Sequence, residues 1–123
     1  DLCLDWDQPL KMNGRTVILQ ASRKIPGIIR SLLERNSVDP QLVPVYLMHQ
    51  ANQNLIDRVA DAIGVPAERF FSNIAKYGNT SSASMLIAAS EWIDSHKLTK
   101  GDPVVFAAFG AGFHWGSLLA RVC

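Results

Sequence analysis

The sequence predicts an α/β fold, with a mixed, mostly parallel sheet and helices on both faces. Two observations carry this prediction. Two apolar runs, "VPVYLM" at 43–48 and "PVVFAAF" at 103–109, have strand length and are rich in β-branched and aromatic residues. Stretches with apolar residues at helical spacing separate them, at about 15–33, 52–63 and 80–94. Strands that alternate with helices build a sheet covered by helices.

Each element has its own reason. Residues 1 to 12, with Trp6, three Asp and Pro9, read as a short strand or a ragged start. From Arg15, Val17, Ile18, Ala21, Ile25, Ile28, Ile29, Leu32 and Leu33 form one broad apolar stripe. Pro26 lies inside it, so a kink or break is expected there. Residues 44–48 form a buried strand that stops at His49. The next helix runs from about Asn52 to Ile63, with Leu55, Ile56, Val59, Ala60 and Ile63 inward and Gly64 as its C-terminal stop. Phe70 and Phe71 form a short strand. Thr80, Ser81 or Ser82 caps the following helix, whose core face is Met85, Leu86, Ala89, Trp92 and Ile93. The chain ends as strand, Gly-Ala-Gly turn and strand.

Composition narrows the function. At 123 residues the chain fits one domain or less. A net charge of +1 gives no electrostatic case for nucleic acid. No apolar run approaches the roughly 18 residues of a membrane span, and no signal peptide opens the chain. The expected location is cytoplasmic. Cys3 and Cys123 sit at the two extremes and read as incidental thiols. The chain does not begin with Met, so a piece of a longer protein is expected.

Three features fall at loop ends beside apolar strands: His49 with Gln50 and Asn52, then Gly78-Asn79-Thr80, then Gly110-Ala111-Gly112. Sites in open α/β sheets form at the carboxyl ends of strands, so the three can share one pocket. Each also has a plain structural reading, as a hydrogen-bonded histidine, a turn and a hairpin.

The strings "HQAN" at 49–52, "YGNTSSAS" at 77–84 and "GDPVVFAAFGAGFHWG" at 101–116 change the balance. In this order and spacing, the stretch from about Gly14 to Val122 resembles the C-terminal half of 3-oxoacyl-ACP synthase III, the β-ketoacyl synthase III family of the thiolase fold. The resemblance implies that His49 and Asn79 are two members of a Cys-His-Asn triad. Both would donate hydrogen bonds to the malonyl thioester carbonyl as CO₂ leaves. Phe109, Gly110, Ala111 and Gly112 would form the loop below the acyl-cysteine. Asn52 and Gly14 would border the pantetheine tunnel. The implied substrates are thioesters of CoA and phosphopantetheine, acyl-CoA and malonyl-ACP, with no cofactor and no metal. A homodimer of the full-length protein is implied as well.

The chain also departs from the family pattern. The nucleophilic cysteine belongs to the family's N-terminal half, and neither Cys3 nor Cys123 matches it, so the isolated chain is expected to be inactive. Asn54 and Leu19 occupy positions that are commonly basic in the family, which puts carrier-protein docking in question. Arg23, Lys24, Arg30, Arg58 and Arg69 are candidate substitutes. Two other readings stay open: a specialised polyketide- or quinolone-type enzyme, and a non-catalytic module that binds acyl-pantetheine or a partner. His96 reads as solvated, His114 as facing away from the site, and Trp92 and Trp115 as core.

Overall fold

The computed structural model describes Leu2, Cys3, Asp7 and residues 11–123. Trp6 and Pro9 lie outside the described residues. Leu2–Cys3 (β1) and Lys11–Met12 (β2) pair antiparallel.

Helix α1 spans Gly14–Arg35, capped by Asn13, whose side chain accepts a bond from the Thr16 amide at 3.1 Å. It is not broken at Pro26, contrary to the break allowed for. Proline removes one helical hydrogen bond. Here, however, Ala21, Ile25, Ile29, Leu32 and Leu33 are all buried, and that apolar stripe packs with β-sheet and neighbouring-helix residues on both sides of Pro26.

Strand β3, Val45–Met48, is buried at all four positions. Helix α2 follows at Gln53–Ile63, with Asn52 as N-cap and Gly64 in the left-handed region at φ 84°. Leu55, Ile56, Val59 and Ala60 are buried and Ile63 is partly so, as its spacing predicts. Phe70 makes only a parallel bridge to Tyr46 rather than a strand, and the two rings stack with centroids 4.6 Å apart. A short helix, α3, covers Ile74–Tyr77.

Helix α4 spans Ser84–Ser95 and follows a 3-10 turn at Ser81–Ala83. Thr80 makes no side-chain capping bond. Ala89 and Trp92 face inward as expected, joined by Ser84 and Ala88. Leu86 and Ile93 do not: they are 65% and 52% exposed. This helix is apolar on most of its circumference, so the pattern alone does not single out its buried side.

Strands β4, Pro103–Gly110, and β5, His114–Arg121, complete a sheet in the order β3-β4-β5. The β3–β4 pair is parallel and the β4–β5 hairpin antiparallel, so the sheet is mixed. Helices cover both faces. Tyr46, Met48, Val105 and Ala107 pack with α1 and α2. Val45, Leu47 and Val104 pack with Ala88, Ala89 and Trp92 of α4. The carboxyl ends of parallel β3 and β4 therefore lie side by side, where a site is expected.

Candidate active site

The end of β3 carries the ladder one residue past the strand. The His49 amide donates to the Ala107 carbonyl at 2.9 Å, which holds His49 beside the end of β4. The next residue, Gln50, is fully buried. Its Nε2 donates to the carbonyls of Met48 at 2.8 Å and Phe71 at 3.2 Å, and its Oε1 accepts from the Asn73 amide at 3.1 Å. Its own amide donates to Ser84 Oγ at 3.1 Å. A buried amide is tolerated only when its groups are paired, and here they are. Gln50 thus pins the strand end, the 71–73 segment and the start of α4 together.

The half-buried His49 ring sits in this frame. Its Nδ1 lies 2.7 Å from Ser84 Oγ. Its edge meets Phe109 with ring centroids 5.4 Å apart and planes at 62°. Phe109 in turn lies 5.8 Å from Phe113. Burial disfavours the charged imidazolium and lowers the His49 pKa below its usual 6.5. Nε2 makes no hydrogen bond to any described residue and is not buried, so it can meet a ligand.

Asn79 is exposed. Its Oδ1 accepts from the Ser81 amide at 2.9 Å, which leaves the Nδ2 donors without a partner among the described residues. Gly78 precedes it at φ 67°, a conformation that favours glycine. Asn79 makes no hydrogen bond to His49. Ser84, at the start of the helix that the Asn79 segment leads into, provides the link. Gly110 is the last residue of β4, directly after Phe109, and Ala111 and Gly112 open the exposed turn to β5. Gly112 has φ 125°, and a Cβ there would collide with the ring of His114, the first residue of β5.

Asn52 uses its side chain to cap α2, accepting from the Leu55 amide at 3.2 Å. Gly14 opens α1, half-buried, and shares no hydrogen bond with the His49 group. Trp92 is core, stacked on His96 with centroids 4.5 Å apart, and His96 Nδ1 also lies 2.9 Å from the Trp92 carbonyl oxygen. Trp115 is not core: it is 41% exposed, with Lys24 Nζ 5.1 Å from its ring centre. Cys3 falls in β1, its side chain outside the described residues, and Cys123 is exposed. Among the described residues no group of three or more His, Cys, Asp or Glu gathers to hold a metal. No helix is long and apolar enough to cross a membrane among the residues described.

The reading from sequence missed Ser84. The signal was modest: a fourth hydroxyl residue in "TSSAS", at the point where a polar loop becomes an apolar helix.

A mixed sheet between helices, with a histidine at one strand end and a glycine turn at the next, is the C-terminal half of a thiolase-like fold. Among solved structures, 3-oxoacyl-[acyl-carrier-protein] synthase III from Aquifex aeolicus matches 98% of this chain and 39% of its own, with a TM-score of 0.91 and 38% identity. The chain belongs to the 3-oxoacyl-[acyl-carrier-protein (ACP)] synthase III C-terminal family, whose model matches residues 33–122. Beta-ketoacyl-[acyl-carrier-protein] synthase III of Gloeobacter violaceus is 47% identical over 112 residues, which are 91% of this chain and 34% of that protein. The priming beta-ketosynthase of the R1128 polyketide biosynthetic pathway has a TM-score of 0.86 and 28% identity, covering 99% of this chain and 40% of its own. The chain spans about a third of the length of the curated relatives it matches.

Proposed function

We propose that this chain supplies the carbonyl-polarising half of a β-ketoacyl-ACP synthase III active site. The whole protein would condense an acyl-CoA starter with malonyl-ACP in fatty acid biosynthesis. One observation carries the reading. His49 and Asn79 each have one polar end held by their own fold and one side-chain nitrogen left open.

The chemistry follows from those two donors. A cysteine thiolate, from the part of the relatives that this chain does not span, takes the acyl group and releases CoA. Malonyl thioester then binds with its carbonyl oxygen at His49 Nε2 and Asn79 Nδ2. The bond to the carboxylate breaks, CO₂ leaves, and the electron pair moves onto that oxygen as an enolate. Neutral donors aimed at a developing oxyanion lower the barrier by about 3 kcal/mol each. The enolate carbon attacks the acyl thioester, and the cysteine thiolate departs. Phe109 excludes water beside His49. The turn at Gly110, Ala111 and Gly112 offers backbone amides to the other oxyanion. Asn52 and Gly14 border the path of the pantetheine arm. The full protein acts as a homodimer.

Carrier docking falls to few side chains. The guanidinium of Arg30 is engaged by the Ala62 carbonyl and that of Arg69 by the Val43 carbonyl. Lys24 lies over Trp115. Arg23 and Arg58 are exposed and form no ion pair among the described residues, which leaves them for an acidic carrier. Asn54 and Leu19, both exposed, favour a second reading in which the same chemistry serves a specialised priming step, as the likeness to the polyketide ketosynthase allows.

The test replaces the matching third of the Gloeobacter violaceus relative with this chain. The chimera should release CO₂ from malonyl-ACP, and His49→Ala should lower that rate about 100-fold or more. A folded, acylation-competent chimera that releases no CO₂ overturns the reading.

A further inference from the structure

His49 has two ring nitrogens, and a neutral ring carries one proton. The contact at Nδ1 does not by itself say which nitrogen holds it. The surroundings of Ser84 do. Ser84 is 2% exposed, so its hydroxyl cannot turn to solvent. Its oxygen already accepts the Gln50 amide at 3.1 Å. Many serines in helices donate back to a carbonyl one turn earlier. Ser84 makes no such bond, and Nδ1 of His49, at 2.7 Å, is its remaining partner among the described residues. If Nδ1 carried the proton, Ser84 would receive two donors and its own O–H would be buried without an acceptor. Buried unpaired donors are strongly disfavoured.

We propose that Ser84 is a positioning residue that holds His49 in the tautomer with its proton on Nε2. The Ser84 hydroxyl donates to Nδ1, the Gln50 amide donates to Ser84, and Nε2–H is the open end. The same chain of donors opposes the imidazolium, which would need Nδ1 protonated against a hydroxyl already committed to it. Burial of the ring opposes the imidazolium as well. What the Nε2 proton is used for rests on the function proposed above, whereas its location does not.

The experiment uses the 123-residue chain with ¹⁵N-labelled histidine, at a pH above the ordinary histidine range. Two-bond ¹H–¹⁵N correlation spectra separate a protonated ring nitrogen from a bare one. In the unmodified chain, His49 Nε2 should show the protonated shift and Nδ1 the bare, hydrogen-bonded one. In Ser84→Ala the two shifts should draw together as the tautomers exchange, while His96 and His114 stay where they were. If alanine unfolds the chain, Ser84→Cys keeps the volume with a weaker donor and should move the shifts in the same direction. A protonated Nδ1 in the unmodified chain overturns the proposal. So do His49 shifts left unchanged in the folded variant. The spectra need no substrate, so loss of the proposed reaction and loss of the tautomer are told apart.

Discussion

Phe109 covers the edge of His49: their ring centroids are 5.4 Å apart and their planes meet at 62°. The contact joins the end of β3 to the end of β4 across a parallel pair. It also supplies part of the burial that keeps the imidazole neutral. Phe109→Ala should therefore raise the His49 pKa toward 6.5, because solvent then reaches the ring. An NMR titration of the His49 ring in both forms measures this, and an unchanged midpoint would remove Phe109 from the account.

The lowered pKa also has a sign in stability. The folded chain binds a proton at His49 less readily than the unfolded chain does. Stability from this residue is present above the unfolded value of about 6.5 and is lost as pH falls through it toward the lower folded value. Urea midpoints should fall across that window in the native chain. In His49→Gln the same window should be flatter.

Gln50 offers a sharper test of how the site is held. Gln50→Glu keeps the shape but turns a donor that serves two carbonyls into an acceptor facing them. Buried donor loss and an unpaired buried carboxylate together should destabilise the chain by at least about 3 kcal/mol. The fold would survive best at low pH, where the carboxyl is protonated. Equilibrium unfolding at two pH values decides it.

Asn79 should separate the two half-reactions in the chimera. Its Nδ2 faces no described partner, and the bond lost from Oδ1 leaves only the exposed Ser81 amide, which water can reach, so the substitution costs the fold little. Asn79→Ala should lower CO₂ release about 100-fold to 1,000-fold. Acylation of the cysteine should stay near normal if, as proposed, the backbone amides from Gly110 to Gly112 serve that step. Single-turnover acylation beside CO₂ release reads both, and equal losses in the two would contradict this division.

Much of the fold was legible because local patterns agreed with the tertiary structure. Helix α2 has a single apolar face and a glycine stop, and both came out as read. Pro26 does not break α1, because a long buried stripe outweighs one missing hydrogen bond. Leu86 and Ile93 misled because the apolar arc of α4 is broader than its buried side. Within the site, the neighbourhood of His49 and Phe109 could be expected from strand ends alone. The bond from Gln50 to Ser84 could not, since it joins a backbone amide to a hydroxyl 34 residues away. Periodicity carries no information about such a contact.

The bond from the His49 amide to the Ala107 carbonyl also sets an order of events during synthesis. Helices α1 and α2 can form from local contacts as the chain emerges from the ribosome. Strand β3 then has no parallel neighbour, because β4 is made only after the α4 segment. Parallel pairing of distant segments must first overcome the entropy of closing a long loop, which makes it slow. For that interval the apolar residues of β3, buried on both faces in the finished fold, are exposed. His49 can take its place beside Ala107 only once β4 has been translated, so a chain cut short before β4 holds both residues of the His49–Ser84 contact without the strand that positions them.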